Sequence, residues 1–488
     1  MKNRIGLVLA AILVFTGCAS SSVEKAKKVK RVKLNFEAPI RSSFSKIELD
    51  EDLETVKYLI CSAYAGYDKA LENGFDIDAS IEEIRTETLK NLNNMGMVDT
   101  SFYQQKIFDV LFRDMKLNDM HFSVNGFGHS IAPINKLLLF TDVYLEKTGD
   151  DFYVYHTEDD KIPVGEKYTG SIKNLYETYL GEKLLYRYAV MANPNTKRLT
   201  LSLESGQIPV QTVKKEEFKY KNYNASVIET EACVYVGLQS FGMNGVNEYY
   251  MFNEMCKKIK TDNPDKTLIL DLRDNGGGDG LLAAQLVASI YFPFDSENHM
   301  AFYDFLCRES LKHKVQADSD AVDQMKKFYK KSWEAAEEND KNNPYNRDVE
   351  MTEEDTDILK IYDLEAEQHK KVYVLIDSGS ASASEYTTGM LSLIKNADVT
   401  LVGGRSWGAV EYVGMRGFPL PKSGIGIRIG NYYGAPPCIS QNEKFHGEGE
   451  GFYPEWWVDN KNMLNTLIQL TGDSSLEEKL SGLEKWQL

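Results

Sequence analysis

The chain has 488 residues, more than one hydrophobic core usually organises, so two or three domains are expected. Its content of 42% hydrophobic and 11% aromatic residues is that of a globular protein. A formal net charge of −17, with no basic stripe to offset it, argues against nucleic acid as a partner, because phosphate binding relies on basic surface.

Residues 1–18 read as a secretory signal. Lys2 and Arg4 precede an apolar stretch from Ile5 to Phe15 that is too short to span a bilayer and ends in Thr16-Gly17-Cys18. Residues 19–48 read as a solvated tether whose basic run from Lys25 to Arg31 suits an anionic membrane surface, or serves as a plain spacer. Past Cys18 the five cysteines Cys61, Cys233, Cys256, Cys307 and Cys438 lack metal-type spacing and give no disulfide framework, so buried free thiols are expected.

Residues 49–120 show helical periodicity. Leu53, Val56, Ile60 and Tyr64 recur on one face, Phe108, Leu111, Phe112 and Met115 mark another, and Ser80-Ile81-Glu82-Glu83 is read as a capping box. From His121 to residue 230 the signals turn to short strands, with Lys147–Asp151 as a hairpin connection and further β character near 199–203 and 209–213. Residues 231–488 read as α/β. Apolar runs at 234–238, 267–272 and 372–376 have strand length, while the charged segment 312–370 reads as a solvated, helical lid or cap.

Two strand–turn–helix junctions stand out. The first carries Gly276-Gly277-Gly278, which lets backbone approach a ligand but lacks the spacing of a phosphate loop. The second is KVYVLIDSGSASASE, residues 371–385, in which Ser382-Ala383-Ser384-Glu385 fits a capping box. A serine there sits among free backbone N–H groups, where an oxyanion can be held; the plain alternative is that Ser382 only caps the helix.

Together, LILDLRDNGGG and VLIDSGSASASE resemble the carboxyl-terminal processing (tail-specific) peptidases and the tricorn-core peptidases, over about residues 232–458 apart from the insertion. The resemblance implies a multidomain α/β (α+β) protein with a ClpP/crotonase-like core, a helical N-terminal domain and a small β-rich, degenerate PDZ-like module. It implies Ser382 as nucleophile and the N–H groups of Gly277 and Ala383 as oxyanion donors. In the tail-specific branch the base is a lysine, and Ala409 occupies that position. The tricorn-like branch uses His, Ser and Glu. LNDMHFS makes His121 the base, and the stretch from Glu448 to Glu455 makes Glu448 the acidic orienter, with Glu450 and His446 as competitors.

Cys18 is similar to a lipobox cysteine, which implies lipidation and a place in the bacterial cell envelope, periplasm or cell surface; cleavage by an ordinary signal peptidase is the alternative. The expected activity is serine-type hydrolysis of extended polypeptides through an acyl-enzyme, with no metal or cofactor. The alternative is a catalytically inactive, peptide-binding surface lipoprotein of the same fold.

Overall fold

The computed structural model describes residues 29–213, 225–242, 246–312, 315–317, 320–331, 334 and 365–483. The signal segment, Cys18 and the first part of the tether lie outside them, as does most of the 312–370 insertion. Among the described residues no helix is long and apolar enough to cross a membrane. The chain divides into two compact units, and neither is a continuous segment.

The first unit gathers described residues of 1–133, 314–346 and 411–434. Its helices start where local chemistry satisfies their free N–H groups. Lys46–Ser62 begins at Ser45, whose N–H donates to Glu48 at 2.8 Å while Glu48 N–H donates back at 3.4 Å. Ile77–Lys90 begins at Asp76, whose carboxylate accepts from Asp78 and Ala79. Ser80 is therefore not a cap: it lies inside that helix, where its hydroxyl has the Asp114 carboxylate at 2.7 Å and the Asp76 carbonyl at 3.0 Å as alternative acceptors for its one hydrogen. The S-x-x-E pattern misled because an acidic cap four residues upstream starts the helix first. Thr100–Met115 is capped by Asp99.

The strands Ser123–Gly126 and His129–Ile131 belong to this unit, paired through Gly426–Tyr433 with residues some three hundred positions later. Gly426–Tyr433 pairs in turn with Tyr412–Pro419. Buried Asp52 fastens this hairpin to the first helix by accepting the N–H groups of Lys422 at 2.7 Å and Ser423 at 3.0 Å. Leu49, Leu53, Val56, Ile60, Leu111 and Ile427 form one apolar cluster. The helix Asp320–Phe328 also feeds it, burying Ala321, Val322 and Met325, so this described part of the insertion is packed and not merely solvated.

The second unit gathers described residues of 134–313, 347–410 and 435–488. Its centre is a six-stranded sheet in the order Ala225–Glu229, Cys233–Leu238, Thr267–Asp271, Lys371–Ile376, Asp398–Gly403 and Trp456–Trp457. All neighbours except the first pair are parallel. Helices cover its faces, so the middle strands are continuous apolar runs, buried at every position of Cys233–Leu238. An all-antiparallel sheet, ordered Asp151–His156, Leu137–Thr148, Lys183–Ala192 and Leu175–Leu180, precedes it in sequence, followed by the hairpin Arg198–Leu203 and Gly206–Gln211. The Lys147–Asp151 connection joins two paired strands as expected, and the β character near 199–203 and 209–213 falls in the second hairpin. Asn462 donates to the Tyr144 hydroxyl at 2.9 Å, and buried Arg187 pairs with Asp459 at 2.8 Å, joining this β module to the parallel-sheet core.

Candidate active site

The parallel strand Lys371–Ile376 ends at Asp377, whose carboxylate accepts the N–H groups of Gly379 at 2.8 Å and Asp274 at 2.9 Å. One side chain thereby shapes both the serine turn and the glycine turn. Ser380 adds a second stitch, donating its hydroxyl to the Leu272 carbonyl at 2.7 Å and accepting the Asp377 N–H at 3.0 Å. Ser384 adds a third: its hydroxyl donates to the Asn275 carbonyl at 2.7 Å, and Ala381 N–H donates to the same oxygen at 3.0 Å.

Between these stitches Ser382 has φ 54° and ψ −115°, a conformation that costs an L-residue about 1–3 kcal/mol and persists only where surroundings impose it. Ser382 stands directly before the helix Ala383–Leu391, on which its carbonyl accepts the Tyr386 N–H. The turn thus projects a hydroxyl at a helix N-terminus, where developing negative charge is favoured.

Gly277 lies against it. A β-carbon at Gly277 would sit 2.6 Å from the Ala381 carbonyl oxygen, 2.7 Å from Ser382 Cβ and 2.8 Å from Ala383 N, and its φ of 92° favours glycine independently. The Gly277 N–H donates to Asn275 Oδ1 at 3.0 Å, while Asn275 Nδ2 donates to the Leu238 carbonyl at 3.0 Å. Asn275 is a residue that sequence reasoning passed over; it is buried and fixes the glycine loop from beneath.

The loop after the strand Asp398–Gly403 holds Ala409. The Ala409 N–H donates to Glu385 at 2.8 Å and the next N–H, from Val410, donates to Glu448 at 2.9 Å. Glu448 is buried. Glu450 instead is half exposed and pairs with Arg405, whose side chain is buried. His446 donates its backbone N–H to the Gly451 carbonyl, and its ring packs on Tyr453 at 4.0 Å. A pocket of about 580 Å³ opens beside the serine turn, lined by Asp377, Ser378, Gly404 and Arg405 of the core and by residues 137–140 and 211–213 of the β module.

His121 belongs to the first unit, just before the strand Ser123–Gly126. Buried Asp119 braces its backbone, accepting the N–H groups of His121 at 2.8 Å and Phe122 at 3.1 Å and the Tyr64 hydroxyl at 2.8 Å. Burial raises the Asp119 carboxyl to about 7 against the pull of those donors. Burial, and secondarily the Arg428 guanidinium, holds the His121 imidazole down at about 4. Ser382, Ala383, Gly277 and Glu448 thus lie in one unit and His121 in the other, while Cys18 is outside the described residues.

A parallel-sheet core with a strained serine at a strand–helix junction can present a nucleophilic hydroxyl among free backbone N–H groups. Residues 309–436, which include Ser382 and Ala409, match the model of peptidase family S41, which supports a serine-type peptidase. Among solved structures the chain is similar to mature CPAF, at 14% identity over 90% of this chain and 97% of that chain with a TM-score of 0.39. It is similar to the photosystem II D1 C-terminal processing protease at 15% identity over 88% and 98%, TM-score 0.33. The tricorn protease is matched at 14% identity over 88% of this chain and 36% of that one, TM-score 0.35. No curated protein matches the chain.

Proposed function

We propose that the protein hydrolyses peptide bonds of extended polypeptides through an acyl-enzyme formed on Ser382. His121 removes the hydroxyl proton and later returns it to the leaving amine, Glu448 orients and stabilises the imidazolium, and the N–H groups of Ala383 and Gly277 hold the oxyanion. For Gly277 this requires sharing the N–H that now reaches Asn275. The observation that carries the reading is the Ser382 backbone, strained at φ 54° and packed against a glycine that has no room for a β-carbon. Its support for Glu448 over Glu450 is the ion pair that already occupies Glu450.

Ala409 has no group that can accept a proton, so a serine–lysine dyad at that position is chemically unavailable. A partly buried, neutral imidazole can fill the role at neutral pH. The pocket beside the turn, with an apolar wall at residues 137–140, suits an extended segment of polypeptide.

A fluorophosphonate probe tests the chemistry. Adduct at Ser382, abolished by His121→Ala in a folded protein, is the expected result; no adduct on folded wild type would make the chain a peptide-binding member of its fold. We place the mature protein in the bacterial cell envelope, lipid-anchored through Cys18. Incorporation of labelled palmitate that disappears in Cys18→Ser is the corresponding check.

A further inference from the structure

We propose that Glu385 is a positioning residue of the active site, a carboxylate clamp that sets the nucleophile's backbone and the loop at the missing lysine's position in one geometry. The inference rests on the serine-peptidase reading above and goes beyond it, since a glutamate in S-x-x-E ordinarily does no more than cap a helix.

Glu385 is buried and each of its oxygens takes two donors. Oε1 accepts the Ser406 hydroxyl and the Gly408 N–H at 2.8 Å; Oε2 accepts the Ala409 N–H at 2.8 Å and the Ser382 N–H at 3.1 Å. Only the Ser382 contact belongs to a helix cap. The other three come from residues 406–409, more than twenty positions along the chain. A carboxylate can satisfy four donors because both oxygens only accept; no other side chain of this size can.

The loop it holds is fixed from the far side as well. Ser406 Oγ accepts the Phe452 N–H at 2.6 Å, Gly449 N–H donates to the Gly408 carbonyl at 2.8 Å, and the Val410 N–H reaches Glu448. A β-carbon at Gly408 would lie within 2.6–2.8 Å of the backbone nitrogens of Gly449, Glu450 and Gly451. Continuous hydrogen bonds therefore run from Ser382 N–H through Glu385 to Ala409, whose neighbour Val410 holds Glu448. Where relatives place a lysine side chain, this chain uses backbone N–H groups on a buried carboxylate. The consequence is that the position of Ser382 and that of the acidic orienter are set together, and a loss of the clamp misplaces the reacting groups without touching the substrate pocket.

The test compares wild type with Glu385→Gln and Ser406→Ala, using fluorophosphonate labelling rates and hydrolysis of an unstructured polypeptide, with thermal melting as a control on folding. The amide introduced by Glu385→Gln turns an NH2 group toward two donors, so the labelling rate and kcat of that variant should fall at least tenfold while KM stays within about twofold. Ser406→Ala removes one donor and should give a smaller fall, again in kcat, with KM unmoved. A merely structural glutamate would lower the melting temperature but leave kcat per labelled site unchanged, and that result overturns the inference. Should Glu385→Gln not fold, the Ser406→Ala split between kcat and KM decides alone. Absence of labelling in wild type itself would instead overturn the peptidase mechanism.

Discussion

Gly277 and Ser382 are packed so closely that a single added carbon on the glycine would overlap the β-carbon of the serine, at 2.7 Å. The contact ties two turns that lie about a hundred residues apart in sequence, each held by its own hydrogen bonds to Asp377 and Asn275. The obstructing atoms include the Ala381 carbonyl and the Ala383 nitrogen, which are backbone and cannot swing aside.

Gly277→Ala is therefore expected to displace the serine turn. The rate of polypeptide hydrolysis should fall at least a hundredfold, since one misplaced oxyanion donor alone costs about 10²–10³ in kcat. Strain at φ 92° should lower the melting temperature in the same variant. Stopped-point hydrolysis assays and a thermal melt measure the two effects separately, and full activity would contradict the close packing.

The acid limb of the pH profile reports the base. Burial and Arg428 hold His121 near 4, so the imidazole stays neutral, and able to accept a proton, well below the usual histidine value of about 6.5. kcat/KM should hold from neutral pH downward and fall only as pH approaches about 4. Removing the nearby positive charge by Arg428→Gln favours the imidazolium and should move that limb upward. An acid limb that does not respond to Arg428→Gln would take His121 out of the mechanism.

Glu448 and Glu450 are separated by one residue and by their surroundings. Glu448 is buried on the Val410 N–H, whereas Glu450 is half exposed on Arg405. Glu448→Gln should lower kcat by about 10²-fold or more, in the range of a lost orienting carboxylate. Glu450→Gln should change kcat less than about fivefold. Equal losses in the two variants would refute the assignment of roles.

Asp119 couples stability to pH through burial. Its carboxyl titrates near 7 in the folded chain and near 3.9 when unfolded, so the folded state binds the extra proton between those values. That contribution is complete below about pH 4 and is lost as pH rises through 7, by as much as ~4 kcal/mol. Asp119→Asn keeps an acceptor for the His121 and Phe122 N–H groups and has nothing to titrate. Denaturant unfolding should show the variant gaining on wild type between pH 5 and pH 8; a constant difference would disprove the coupling.

Much of this protein is written in short-range patterns. The strand Lys371–Ile376, the turn after it and the helix beginning at Ala383 follow from an apolar run, a Gly-Ser cluster and a cap, all within fifteen residues. The five cysteines Cys61, Cys233, Cys256, Cys307 and Cys438 are buried free thiols, as their scattered spacing implied. Helical periodicity placed Lys46–Ser62 and Thr100–Met115, and strand alternation placed the hairpin at Lys147–Asp151.

What local patterns do not carry is which distant donor meets which acceptor. Ser80 matched a capping box as well as Ser45 does, yet Asp76 caps the helix first and Ser80 turns inward to Asp114. The strand Ser123–Gly126 pairs with residues 426–428, a partnership set by side-chain packing across the sheet and invisible in either segment alone. The same holds at the site: turn and cap propensities, which act over a few residues, marked the glycine loop and the Ser382–Glu385 cap, and the family resemblance singled out Ser382 and Gly277. Only the folded chain brought a buried carboxylate under four N–H and O–H donors, since that arrangement exists solely where the segments following two neighbouring parallel strands pack together and exclude water.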